Sequence, residues 1–376
     1  MNKPFWQSDW FAGIVITIVF ALLANSTLIQ SIERDAYDFG MSATPRTPND
    51  QIAIIGIDDK SLSNIGRWPW PRDVLASLQD TLTQGGARVI GQSVFFLEPQ
   101  QDPGLRYISE LLDFYQNSSL PGMPAELRSL RNSLVDLQSA PIRGDTARQL
   151  RNALNQLDKS GLQVRVQKDL NALGTALMDA EQALNTDVKL AQSIDQANNL
   201  ILAMPFLTGQ PVGKPAGELP GYVRANRLRN VVSKPASTGE GAGALSAIEA
   251  TPPIDILGSR ATGIGSLISI PDIDGGIRYE PLVVDYYGDY YPSMALLLAM
   301  KYLNLGLEDV EVRVGEGVRL GGLDIRTDGD LQMYAFFYSD DEAGNPAFQI
   351  DSFYDVLVGN IPAEKYRDKI VLIGAS

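Results

Sequence analysis

The stretch QIAIIGIDDKSLSNIGRWPWPRDVLASLQDTLTQGGARVIGQSVFFL, residues 51–97, decides the fold. Its first eight residues are a β-branched apolar run bounded by Pro48, Asn49 and Asp50 before it and by Asp58 and Asp59 at its end, which predicts a buried strand. In RDVLASLQDTLTQ, residues 72–84, Val74, Leu75, Leu78 and Leu82 share one helical face. Pro71 and Asp73 suit the start of that helix, and Gly85 with Gly86 ends it. A second buried strand is predicted over 88–97. Strand, helix and strand at this spacing form a βαβ unit with parallel strands and a right-handed crossover. GRWPWPRD, residues 66–73, lies between them and holds two of the four tryptophans. It reads as a rigid corner, with Trp68 and Trp70 sealing a sheet edge and Arg72 left as the charge to test for function.

On the N-terminal side, WFAGIVITIVFALLA (10–24) is apolar or small throughout apart from Thr17, and the run continues to Leu28 and Ile29. About 20 residues of helix cross a bilayer core, so 10–29 is expected to be a transmembrane helix. Trp6 and Trp10 suit an interfacial belt, and Lys3 orients the N-terminus towards the cytoplasm. A cleaved signal peptide ending at Ala24 would need a small residue where Leu22 stands.

On the C-terminal side, Leu127, Leu130, Leu134 and Leu137 are spaced 3, 4, 3, and Leu170, Leu173, Leu177, Ala180 and Leu184 are spaced 3, 4, 3, 4. Leu150, Leu154 and Leu157 continue this a/d pattern of packed helices. Breaks at 121–124, 141–144 and 160–161 divide it into three or four helices. Whether their core closes within one chain or between two is open at this level. Further expectations are a helix over 187–198, a strand over 200–206 and an irregular excursion over 208–260. A strand over 263–270, an Asp-Gly turn at 271–276 and a returning strand over 277–287 follow. Beyond these come a helix over 292–304, hairpins over 310–337, a helix over 351–358 and a parallel-type strand over 369–376. The chain stops on that strand, as in a domain that continues further. The expected class is α/β: a mixed, mostly parallel sheet with flanking helices, a long helical insertion and an N-terminal transmembrane helix. Its divisions are 1–32 (cytoplasmic N-terminus and anchor), 33–104 (first part of an α/β domain), 105–186 (insertion) and 187–376 (remainder).

The chemistry is bounded by two zeros. The 376 residues include no cysteine and no histidine, which removes disulfides, thiolate or imidazole catalysis, and zinc–sulfur or imidazole metal sites. A net charge of -14 argues against a nucleic-acid partner. DIDGG, Asp272 to Gly276, opens like a calcium loop, but Val283 stands where a bidentate acid is required, so no metal and no cofactor are expected. Ligands of open parallel sheets bind at the carboxyl ends of the strands. Asp58, Glu98, Asp272 and Asp274 fall there, with Arg72 and Arg278 nearby. They are either a polar ligand site or structural ion pairs on one edge. A hydrolase built on the carboxylates of Asp58 and Glu98 is a weaker alternative, and a scaffold that oligomerises through the leucine-rich helices is another.

The order of these features resembles the second type of CHASE domain, the extracytoplasmic sensor associated with cyclases and histidine kinases. The likeness is carried by residues 33–104 and 187–376. Its pattern falls on Asp58, Ser61, Gly66, Trp68, Pro69, Trp70, Arg72 and Glu98, then on Asp272, Asp274, Gly275 and Arg278. The resemblance implies an anchored inner-membrane receptor with residues from about 33 onward in the periplasm, and no catalysis in this part. It implies a cytoplasmic effector, most often an adenylate or guanylate cyclase, otherwise a kinase or diguanylate cyclase. A homodimer and an unidentified extracytoplasmic ligand or protein partner are expected. Two departures stand out: Ser93 replaces an acid in the second strand, and the insertion is long.

Overall fold

The computed structural model describes all residues except 1–8, 24–25, 44–45, 140–143, 216, 234–242, 339, 341–345 and 376. Lys3 and Trp6, read above as membrane flanks, lie outside the described residues, as do 24–25 within the apolar run and most of the 141–144 break.

The N-terminal run does not form the one helix expected over 10–29. It gives α1 (Asp9–Leu23), a bend at Ser26 and α2 (Thr27–Ala43). At ~1.5 Å per residue α1 is about 22 Å long, against a hydrocarbon core of ~30 Å. Among the described residues no helix is long and apolar enough to cross a membrane.

The body begins with β1 (Ile52–Ile57), α3 (Asp59–Ile65), α4 (Arg72–Gln84) and β2 (Val89–Gln92). The insertion follows as α5 (Pro103–Asn117), α6 (Met123–Ser139), α7 (Asp145–Ser160) and α8 (Leu162–Leu184). After it come α9 (Thr186–Ala197), β3 (Leu200–Met204), β4 (Gly263–Ser266) and α10 (Met294–Tyr302). The chain then runs through β5 (Ile350–Ser352), α11 (Phe353–Leu357) and β6 (Ile370–Ala375). The six strands form one wholly parallel sheet in the order β5-β1-β6-β2-β3-β4. β1 and β2 are parallel, as the βαβ reading requires, but β6 lies between them. Its register sets Ile52 beside Ile370 and Ile57 beside Ala375.

Neighbouring residues on a strand point to opposite faces. Ile90 joins a core with Ile55, Leu78, Leu82 and Ile194, beneath α4 and α9. Val89 joins a core with Ile201, Met294, Leu297 and Val312, beneath α10 and an outer layer of mixed parallel and antiparallel strands.

Several local expectations change. The strand expected over 88–97 pairs only at 89–92, and that over 200–206 leaves the sheet after Met204, with Phe206–Thr208 joining a second sheet. The Asp-Gly turn forms, but its flanks do not pair with each other. Gly263–Ser266 pairs with β3, while Tyr279–Pro281 pairs with Gln332–Tyr334 and Val283–Tyr286 with Asp289–Pro292. A strand buried on both faces gains more beside another buried strand than from folding back on its own turn. The excursion over 208–260 is not irregular throughout, because Asn230–Ser233 and Leu245–Ala250 each join a four-stranded sheet.

Gly265 shows why a glycine stands in β4: an added Cβ would lie 2.5 Å from Met294 Cα and 2.6 Å from its nitrogen. The first turn of α10 therefore rests directly on β4. Gly265→Ala must push backbone against backbone and is expected to cost ~2 kcal/mol or more, read as a lower midpoint in denaturant at unchanged slope.

Candidate functional site

The six charged residues singled out from sequence do not converge on one site. Their hydrogen bonds sort them into three groups.

Asp58 caps α3. Its carboxylate accepts the Ser61 amide at 2.8 Å, the Ser61 hydroxyl, and the Ser352 hydroxyl at 2.9 Å. Burial works to raise the pKa of this carboxyl, and these bonds outweigh it, so the net shift is downward. The acid is thus committed to joining β1, α3 and β5.

Arg72 opens α4 and is buried. Its guanidinium donates to the Asp187 carboxylate and to the Glu98 backbone carbonyl, and lies 5.2 Å from the centre of the Phe96 ring. Asp187 also accepts the Gln100 amide at 3.0 Å. Glu98 enters through its main chain, and its exposed side chain makes no part of this contact. Beside it Trp70 is buried, donates its indole N–H to the Gly66 carbonyl at 2.7 Å, and packs on Trp68 and Phe353 at 5.1 and 4.9 Å between ring centres. Gly66 sits at φ 119°, which glycine adopts without strain. Pro71 is the cap of α4, one place before the position expected, and the Trp68–Pro69 bond is cis.

The third group does converge, and on an element that sequence reasoning left out. Arg278 is 7% exposed and grips two carboxylates at once. Its Nε and Nη2 donate to Asp38 at 3.0 and 2.7 Å, and its Nη1 and Nη2 donate to Asp274 at 2.8 Å each. Asp272 accepts from Nη1 at 3.2 Å. The 272–276 turn that presents these acids is closed by Asp272 N–H to the Gly276 carbonyl at 2.8 Å, with Gly275 at φ 84°. Asp38 lies on α2, and so do Arg34, 3.8 Å from both Asp272 and Asp274, and Tyr37. The Tyr37 hydroxyl donates to the Ala335 carbonyl, and its ring lies 5.4 Å from that of Tyr334. Bonds from Arg278 hold the carboxyls of Asp38 and Asp274 below the usual carboxylate range and raise the guanidinium pKa in turn. A cavity of about 470 Å³ beside the cluster is lined by Glu33, Arg34, Tyr37, Asp272, Tyr279 and Tyr334, together with Arg278.

A separate apolar cavity of about 560 Å³ lies between α10 and the face of the sheet carried by Ile52, Ile54, Ile370 and Leu372. None of the six charged residues singled out from sequence lines it, but Ser93, which stands where the resemblance expects an acid, does. Its one carboxyl is Glu280, which burial pushes up to about 7. No metal-ligating cluster is present among the described residues.

Two measurements follow from this geometry. Asp187→Ala leaves the Arg72 guanidinium buried without its carboxylate and is expected to cost ~3 kcal/mol of stability. Calorimetry should show a far larger loss than for an exposed pair such as Arg106–Glu110. Between about 4.5 and 7 the folded chain binds a proton at Glu280 that the unfolded chain releases, so this group makes stability fall as pH rises through that window. Glu280→Gln should remove that slope, seen as pH-dependent midpoints in urea.

No curated protein and no solved structure matches the chain. A family model does, that of the CHASE2 domain, over residues 14–376. The match takes in α2, the Asp272–Arg278 turn, the parallel sheet and the insertion, so the chain belongs to the CHASE2 family of sensory, non-catalytic extracellular domains.

Proposed function

We propose that the chain is the periplasmic sensor of an inner-membrane receptor, anchored by the apolar segment 10–29, and that it sets the activity of a cytoplasmic effector, a nucleotide cyclase by family resemblance. The observation that carries this reading is the attachment of α2. That helix follows the apolar segment in the chain, and among the described residues none of α1 or α2 belongs to the apolar cores of the body. Polar ties join it to the body: Arg278 to Asp38, Arg34 to Asp272 and Asp274, and the Tyr37 hydroxyl to the Ala335 carbonyl, with the Tyr37 ring beside that of Tyr334.

Such a latch suits transmission. A helix buried by apolar packing moves only when the core is disrupted, whereas the half-exposed acids of this latch can give way to a competing anion that keeps the buried Arg278 guanidinium paired. A ligand that binds the latched and released forms with different affinity shifts their populations, and with them the position of the helix that leads into the membrane. Exposed apolar side chains on every side of α1, from Trp10 to Val19, support the anchor. α1 alone is too short to span, so the proposed anchor draws on the whole segment 10–29.

The test combines hydrogen exchange in α2 with effector output from membranes carrying the complete gene product. Arg278→Gln and Asp38→Asn are expected to raise exchange over 33–43 by at least tenfold and to shift basal output in the same direction. Arg278→Lys, which keeps charge but loses the two-pronged grip, falls between. If α2 is released and output stays at the native level, transmission through α2 is wrong. Since both acids titrate low, mild acid should leave the latch closed; stability from these carboxylates is present above their unfolded pKa and lost only as pH falls through the lower folded value.

A further inference from the structure

The insertion has an unfinished core. Of the leucines whose 3, 4 spacing predicted packed helices, Leu154 is buried, whereas Leu130, Leu137 and Leu173 are exposed. The imbalance is sharpest on α5, which carries two apolar stripes. The inner one, Leu105, Ile108, Leu112 and Tyr115, faces α8, where the Tyr115 hydroxyl donates to the Leu170 carbonyl at 2.8 Å and the ring fills the space beside Gly174. The outer one, Tyr107, Leu111 and Phe114, is spaced 4, 3 on the adjoining flank, about 110° round the helix, and stands 59%, 51% and 66% exposed. A helix apolar on two sides belongs between two neighbours, and the described residues supply one.

We infer that the second neighbour is α5 of another copy of this chain, packed antiparallel across a two-fold axis at Leu111. Two features favour a second copy. Interdigitation needs a facing stripe of the same 3, 4 spacing, which an identical α5 provides by symmetry. Centring the axis on Leu111 sets Tyr107 against the partner's Phe114 and brings Arg106 within a turn of the partner's Asp113, so the flanking charges are opposite. The apolar stripe is only the centre of such an interface. At ~200 Å² for a fully exposed large side chain the stripe offers roughly 350 Å² per copy, near half of the ~800 Å² per partner in a standard interface. The rest of the contact comes from the polar flanks of α5. A bilayer is a poorer occupant, because the stripe is bordered by Glu110 and Asp113 and membrane-surface helices carry a cationic polar face.

This pairing does not depend on the effector or on the latch. It is tested on the full chain in a mild detergent that covers α1. Sedimentation is expected to show a dimer, and Leu111→Glu to raise its dissociation constant at least ~30-fold. The Leu111→Glu monomer should match the thermal midpoint of the native chain diluted below its dimer dissociation constant, since the position is exposed within one copy. The chain lacks cysteine, so Leu111→Cys introduces a lone thiol on the axis that should oxidise to a disulfide-linked dimer, while Ser133→Cys on α6 should not. A monomeric native chain, a dimer indifferent to Leu111→Glu, or cross-linking at Ser133→Cys as fast as at Leu111→Cys overturns the inference.

Discussion

The pairing of β1 with β6 is the constraint on which the rest depends. The strand beginning at residue 52 finds its partner at residue 370, over six consecutive pairs, and β2 closes on the other side of the same late strand. The two halves of the parallel sheet therefore meet only through β6. Everything between, including the four-helix insertion and the outer mixed layer, is an excursion whose ends this ladder holds. The entropy of closing so long a loop grows only slowly with its length, which is how an insertion of this size is tolerated. The same topology is rich in non-local contacts and belongs to the slow-folding class.

The charged residues illustrate how one sequence signal divides into separate jobs. Asp58, Arg72 and Arg278 all lie near strand ends or crossover starts, where parallel sheets gather ligands. Asp58 is taken up by two serines and Arg72 by Asp187, and both ties knit neighbouring elements of the body. Arg278 instead reaches outward to α2. Both arginines are buried, and it is the acids that separate them: Asp187 is buried with Arg72, whereas Asp38 and Asp274 stand half-exposed and can be exchanged.

What the sequence made legible was whatever chemistry is local. α4 is found over 72–84 as expected because Pro71 and Gly85 mark its ends within the segment itself. The helices of the insertion are likewise visible in their leucine spacing, and the turn at 272–276 in its Asp-Gly pair. Choice of partner was not legible. The flanks of that turn pair elsewhere because the competition among buried strands is settled across the whole sheet, and the central place of β6 has no local mark. The site was half visible for the same reason. Asp272, Asp274 and Arg278 stand within seven residues of one another, but Asp38, Arg34 and Tyr37 come from a helix more than 230 residues earlier. Asp187 and Glu280 carry no motif at all and are defined by what surrounds them.

The parallel register of β1 and β6 also has a mechanical meaning. The chain enters β1 at one end of the ladder and leaves β6 at the other, so tension applied between residues 52 and 375 pulls the two strands along their length in opposite directions. Their six pairs then share the load at once instead of opening one after another. A body held this way transmits a tug on either end as a rigid piece, and the polar contacts around Arg278 would yield before the sheet does.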